Sequence, residues 1–278
     1  MSILITGANG TVSSAVLRSL AGTADVRVLV RDAAKAPSGV EVAVGDLDDP
    51  ATLDRAFRGV DTLWLLTAMG PQAPHAGMNA VWAARKAGVR HVVRMSAIGA
   101  AHDAPTRNGR LHALSDVELA ASGLGWTVLR PAFFMQNLFG SVNGDTLYGA
   151  TGEGRLGMID VRDIGDFAAA VLRASAQHKG STYTLTGPAS VSLRDAAAAL
   201  GEVYGTPIAY QPVTPDDAQQ SMLDAGLSPW IAAVTKEYLT AYSEGWGDYT
   251  TPDFEKVMGR PARSFAAFAR DHAAQLRP

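Results

Sequence analysis

Short, fully apolar runs alternate with polar-studded stretches of helical length through the first half of this chain. Residues 2–5, 25–30, 40–44, 61–66, 89–95 and 126–129 read as strands. Residues 11–20, 50–57, 75–87 and 111–121 read as helices, with Asp49 and Pro50 as a start signal and Gly88 and Gly123 as stops. Strands that are apolar on both faces need cover on both faces. When helices alternate with them, the sheet is parallel and each crossover is right-handed. The expected fold is therefore α/β, a Rossmann-type doubly wound parallel sheet.

The pattern changes after Arg130-Pro131. Residues 131–157 are rich in Gly, Phe and Asn and read as loops, with 140–157 as a mobile flap. Residues 163–174 return as a helix and 182–185 as a strand. The remainder is mostly helical, punctuated by Pro207, Pro212, Pro215, Pro229, Pro252 and Pro261. Two domains are expected: 1–130, and a smaller lobe over 131–278 with some segments returning to the first. The lobe is expected against the carboxyl ends of the strands, where open parallel sheets take their ligands.

Composition narrows the class. The 278 residues are 47% hydrophobic and 18% charged, which fits a soluble chain with a sizeable core. A net charge of −3 offers no basic balance for nucleic acid or an anionic membrane. The chain has no cysteine, so disulfides, thiol nucleophiles and thiolate metal sites are excluded. No run approaches the ~18 apolar residues of a membrane span, and the first residues lack the basic start of a signal peptide. His75, His91, His102, His178 and His272 show no metal-ligand spacing, and no Gly-x-Ser-x-Gly elbow occurs. No metal is expected. The expected protein is cytoplasmic, a monomer or homodimer, with a small-molecule substrate.

Thr6-Gly7-Ala8-Asn9-Gly10-Thr11-Val12-Ser13 joins the first strand to the first helix. Gly7 permits a tight turn, and Gly10 permits close approach of backbone to a pyrophosphate. The free amides of the helix start then face the phosphates. Thr6, Gly7, Asn9, Gly10, Thr11 and Val12 are the expected contacts. Ser13 replaces the third glycine of the usual pattern. Two outcomes stay open there: a hydroxyl donated to a phosphate, or a helix pushed outward.

The second strand ends in Val30-Arg31-Asp32. An Arg at this place suits a ribose 2′-phosphate and an acid suits a 2′-hydroxyl. Arg31 comes first and Lys35 adds charge, so NADP(H) is preferred over NAD(H). Asp46 and Leu47 after the third strand are expected near the adenine, although Asp46 could equally cap the next helix. Thr67 and Ala68 after the fourth strand are expected near the ribose or nicotinamide.

Thr6-Gly7-x-x-Gly10, Val30-Arg31-Asp32, Gly45-Asp46 and Met95-Ser96 resemble the short-chain dehydrogenase/reductase superfamily. Ser122-Gly123-Leu124, Val128-Leu129-Arg130-Pro131, Asp160-Val161-Arg162-Asp163, Tyr183-Thr184-Leu185-Thr186-Gly187 and Met258-Gly259-Arg260-Pro261 narrow this to its atypical NmrA-like branch. The resemblance implies an NAD(P)H-binding protein. The branch contains reductases of quinones and dyes, isomerase-like enzymes and non-catalytic NADP sensors.

Standard members use a Tyr-x-x-x-Lys pair and a Ser. Counting back from Ala121-Ser122-Gly123 puts Asn108 at the Tyr position and His112 at the Lys position, with Ser96 in the region of the family's Ser. Asn108 cannot release a proton. His112 is expected to titrate near neutrality and relay one, with Ser96 orienting a carbonyl. Glu118, six residues along, reads as a surface charge. Without the usual acid, hydride delivery to a quinone, an enone or an aromatic metabolite is favoured over alcohol chemistry. The alternatives are a redox sensor, or a non-redox isomerase, dehydratase or cyclase. Phe133, Phe134, Asn137 and Tyr148 are the expected substrate contacts, where flat apolar side chains beside amides suit a planar ligand. At least half of the segment from Phe133 to Phe139 is expected to be core. One of Asp160 and Asp163 is expected to cap a helix.

Overall fold

The computed structural model describes residues 1–22 and 25–277. They form two compact units, one of residues 1–103, 108–130 and 164–184, the other of 104–107, 131–163 and 185–278.

The first unit is built on a seven-stranded sheet. Its strands in chain order are β1 (Ser2–Ile5), β2 (Asp25–Val30), β3 (Glu41–Val44), β4 (Thr62–Leu65), β5 (His91–Met95) and β6 (Gly125–Pro131); Ser181–Leu185 is the seventh, at the edge beside β6. Every side chain of β1, β4 and β5 is buried, as a sheet covered on both faces requires. The spatial order β6-β5-β4-β1-β2-β3 is parallel throughout. The chain runs outward from β1 through β2 to β3, then returns to the other side of β1 at β4. That reversal between β1 and β4 makes a crevice at the carboxyl ends of the strands.

The flanking helices are α1 (Thr11–Leu20), α2 (Leu53–Ala56), α3 (Ala73–Ala87), α4 (Arg107–Ala121) and α5 (Val161–Arg173). Asp49 accepts from the amide of Ala51 at 3.2 Å and opens a single tight turn over Pro50–Thr52 before α2. Gly88 ends α3 in the left-handed region, φ 76°. Helix α4 starts four residues earlier than the sequence predicts, so Asn108, His112 and Asp116 share one face at i, i+4, i+8. Leu4, Phe57, Leu63, Leu65, Val92 and Leu119 fill one side of the sheet.

The second unit corrects the reading of 131–157 as loops. It contains β7 (Val142–Asn143), β8 (Thr146–Gly149) and β9 (Arg155–Leu156). After β10 (Ser181–Leu185) of the first unit come β11 (Val191–Ser192) and β12 (Ala209–Pro212). Strand β8 pairs with β7 antiparallel and with β12 parallel, and β9 pairs with β11 antiparallel. These strands are two to four residues long and lack apolar alternation. Strands β8 and β9 gain partners more than 30 residues away, in β12 and β11, which local pattern cannot reveal, while β7 closes a short hairpin on β8. The proposed flap is thus a set of paired strands.

Helices α6 (Leu193–Tyr204), α7 (Pro215–Asp224), α8 (Pro229–Ser243), α9 (Asp253–Met258), α10 (Phe265–Asp271) and α11 (Ala273–Leu276) complete the unit. Ser192 and Asp195 form a capping box on α6, and Thr214 and Asp217 form another on α7. Among the described residues no helix is long and apolar enough to cross a membrane.

Candidate functional site

The bend after β1 stands at the β1/β4 crevice. Thr6 fixes its start: its hydroxyl donates to the Leu66 carbonyl and accepts from the Leu66 amide, both at 2.8 Å. The backbone must then turn sharply, and Gly7 does so at φ 64°, a conformation that side chains resist. The Gly10 amide closes the turn on the Gly7 carbonyl at 2.8 Å. A Cβ on Gly10 would sit 3.2 Å from that carbonyl, and one on Gly7 would meet Leu66 Cδ2 at 3.0 Å. Gly10 is the N-cap of α1 and has no side chain to cap it. The amides opening α1 therefore face outward from an exposed cradle at Gly7, Asn9, Gly10 and Thr11, in which neither glycine carries a side chain to block approach, while Val12 is buried behind it. This geometry fits a diphosphate.

Ser13 turns its hydroxyl inward, away from the cradle. It is fully buried, its hydroxyl donates to the Thr6 carbonyl at 2.9 Å, and it accepts from the Trp64 indole at 2.9 Å. It knits α1 to β1 and β4. Close helix packing here comes from another glycine: a Cβ on Gly165 of α5 would lie 2.7 Å from Ala15 of α1.

Arg31 and Lys35 are exposed beyond β2. Asp32 accepts from the Ala34 amide at 3.0 Å and caps a single turn over Ala33–Lys35. Its carboxylate is thereby drawn into its own backbone, while Arg31 makes no ion pair among the described residues. Asp46 makes a local turn, accepting from the Asp48 amide at 3.1 Å; Asp49, not Asp46, caps the following helical turn. Leu47 is half-buried and its carbonyl accepts from Asn79 at 2.8 Å. Thr67 is half-buried and Ala68 exposed at the end of β4.

Beside the end of β5 lies a buried ion cluster. Asp116 of α4 accepts from Arg94 Nε of β5 at 2.9 Å, from Arg130 Nη2 of β6 at 2.9 Å, and from the Ser96 hydroxyl at 2.8 Å. The Arg94 side chain is 2% exposed and that of Arg130 27%. Arg94 Nη2 lies 3.2 Å from Nδ1 of His112. Burial, then the Arg94 charge, pushes the His112 imidazole down to about 3, with Asp116 opposing. The expectation that His112 titrates near neutrality is therefore corrected: the ring is neutral at physiological pH. Ser96 is buried and its proton points at Asp116. Asn108 is buried one turn before His112. Glu118 is half-buried rather than a plain surface charge, and burial raises its carboxyl.

Arg94, Asp116 and Arg130 escaped sequence reasoning. Two signals were present: a lone arginine inside an apolar strand, and an acid four residues after His112 on the same helix face.

In the second unit, Phe133 is half-buried and meets Tyr242 edge-on at 5.9 Å. Phe134 is half-buried and bridges to Ile159; Met135 and Leu138 are core; Asn137 and Tyr148 are exposed. Asp160 caps α5 through the Arg162 amide at 2.8 Å and also binds Gln136 and the Arg162 guanidinium. Asp163 is fully buried and accepts from Arg260 at 3.0 Å, from the Arg263 amide at 2.6 Å and from the Arg263 guanidinium.

Comparison with known proteins agrees with this architecture. A family model described as NAD(P)H-binding matches residues 7–175. An NAD(P)H azoreductase of Xenophilus azovorans is 37% identical over 281 residues, covering 98% of each chain. A (4-alkanoyl-5-oxo-2,5-dihydrofuran-3-yl)methyl phosphate reductase of Streptomyces griseus is 32% identical, covering 99% of each. An NADPH-dependent quinone oxidoreductase of Escherichia coli, solved with NADPH, superposes with a TM-score of 0.87 at 27% identity, over 98% of this chain and 99% of that one. The chain belongs to the NAD(P)H-binding family.

Proposed function

We propose that the protein is an NADPH-dependent reductase of a small planar electrophile: a quinone, an azo compound or a conjugated enone. The observation that carries this is the cradle from Gly7 to Thr11, turned by two glycines and opening at the β1/β4 crevice beneath the uncapped start of α1. Thr6, Gly7, Asn9, Gly10, Thr11 and Val12 would hold the diphosphate. Arg31, with Lys35 nearby, would take the 2′-phosphate, because Asp32 is occupied by its own cap. Asp46 and Leu47 would border the adenine, and Thr67, Ala68 and Ser96 the nicotinamide end. When bound, NADPH supplies a hydride.

The neighbouring groups favour acceptors that need no enzyme acid. Asn108 has no proton to give, Ser96 gives its own to Asp116, and His112 is uncharged at neutral pH. His112 therefore acts as a neutral donor, offering its Nε2 hydrogen to the negative charge that develops on the acceptor. Quinones and conjugated systems spread that charge and take their proton from water afterwards. Phe133, Phe134, Asn137 and Tyr148 would contact the acceptor.

The test is a panel of quinones, azo dyes and enones mixed with the pure protein and NADPH, following the reduced-nicotinamide absorbance. Acceptor-dependent decay, faster with NADPH than with NADH, is expected. Tight cofactor binding with no decay for any acceptor would replace the reductase with a redox sensor. Product formed without net cofactor oxidation would replace it with a non-redox enzyme.

A further inference from the structure

An arginine sealed inside a parallel sheet is costly. Two guanidinium groups, Arg94 and Arg130, share one carboxylate, so the cluster carries an excess positive charge. Arg94 Nη1 is also buried, with no hydrogen-bond partner among the described residues. An apolar side chain would serve stability at least as well here, because a buried ion pair seldom outperforms hydrophobic packing. Stability does not account for Arg94.

Its position relative to His112 does. Asp116 receives four donors, from Arg94 Nε, Arg130 Nε and Nη2, and Ser96 Oγ, at 2.8 to 3.2 Å. The Arg94 fork is held by the first of these, which sets the direction of Nη2 toward His112 Nδ1. A guanidinium only donates, so Nδ1 must accept, and the ring hydrogen is left on Nε2. Nε2 has no partner among the described residues. Arg130 is a weaker influence: it borders a cavity of about 450 Å³ lined by Ala100, Val117, Trp126 and Val128, where solvent screens it.

We propose that Arg94 is a positioning residue: anchored on Asp116, it donates to Nδ1 of His112 and fixes the ring as the neutral tautomer that presents Nε2–H. The catalytic consequence rests on the reductase reading above; the tautomer does not. The charged groups acting on the ring are Arg94 from β5, Asp116 from its own helix and Arg130 from β6, after burial itself.

The experiment is ¹⁵N NMR of the histidine side chains in the full-length protein, with His112→Gln to assign the signal. The native ring should show the Nε2–H pattern and no titration between about pH 8 and 5. Arg94→Met, which removes both donor and charge, should give mixed tautomers and at least about tenfold tighter proton binding; Arg94→Lys should restore part of the native behaviour. Turnover should fall about tenfold in kcat in the Met variant, with the KM for NADPH unchanged. If the ring changes as stated but kcat does not, the positioning role stands and the use of His112 in the reaction falls. An Nδ1–H pattern or neutral-range titration in the native protein overturns the proposal even if no variant folds. So does a Met variant whose ring is indistinguishable from native.

Discussion

Asp116 and Asp163 are the same device put to two uses. Each is a buried carboxylate gripped by two arginines. Around Asp163, both arginines keep about a third of the side chain in solvent, 38% for Arg260 and 32% for Arg263, and the Arg263 amide supplies another bond. The carboxylate ties residues about 100 positions apart in sequence. Around Asp116, one arginine is sealed from solvent, and a hydroxyl and an imidazole are attached to the same network. A buried ion pair thus closes the chain in one unit and sets a protonation state in the other. The groups that adjoin the pair, more than the pair itself, distinguish a clamp from a site.

Removing each carboxylate sharpens the contrast. Asp163→Ala removes the carboxylate that two arginines and a backbone amide share and should cost about 3–5 kcal/mol in denaturant melts, with cofactor affinity of the folded fraction unchanged. Loss of cofactor binding out of proportion to the folded fraction would show that the clamp also orders a site.

Acid should act on the first unit next. His91 is buried, its Nε2 donating at 2.9 Å to Thr127, whose own hydroxyl proton goes to the His178 carbonyl at 2.8 Å. Burial, then His178 and Lys179, pushes it down to about 4, and His112 stands near 3. Both rings resist protonation in the folded chain but accept it near 6.5 when unfolded. The unfolded state therefore binds more protons between these limits, and stability falls as pH drops from about 6.5 toward 4. The His91 contribution is about 3 kcal/mol. Histidine-to-glutamine replacement of His91 should flatten that acid limb, and Asp163→Ala should not; an unchanged slope in the former contradicts the assignment.

Arg31→Ala should narrow the preference for NADPH over NADH about tenfold, corresponding to about 1.4 kcal/mol for an exposed charge-assisted contact. Measuring kcat/KM for both cofactors decides it. The smallest effect is expected from Ser96→Ala, about 1 kcal/mol of stability, since Asp116 keeps both arginines. A loss several times larger would mean that the hydroxyl, not Arg94, orients the carboxylate.

The parallel sheet and the Gly7–Gly10 turn were legible because their signals are local. Apolar runs, a capping Asp49 and a stopping Gly88 each act within a few residues. The arginine cluster was not legible, because Arg94, Asp116 and Arg130 come from three elements and converge only after the sheet forms. The short strands β8 and β9 were missed for the same reason, being paired with the distant β12 and β11, and the two residues of β7 are too few to show a pattern. The inward hydrogen bonds of Ser13 were not legible because its partner Trp64 lies 51 residues away. The charge state of His112 depends on burial and a neighbouring strand, which spacing does not encode.

Calorimetric titration of the intact protein with NADPH and with NADH tests the cradle on which the proposed function depends. One site per chain, with NADPH bound at least about tenfold more tightly, is the predicted result. Absence of saturable heat with either cofactor, in oxidised or reduced form, would contradict it.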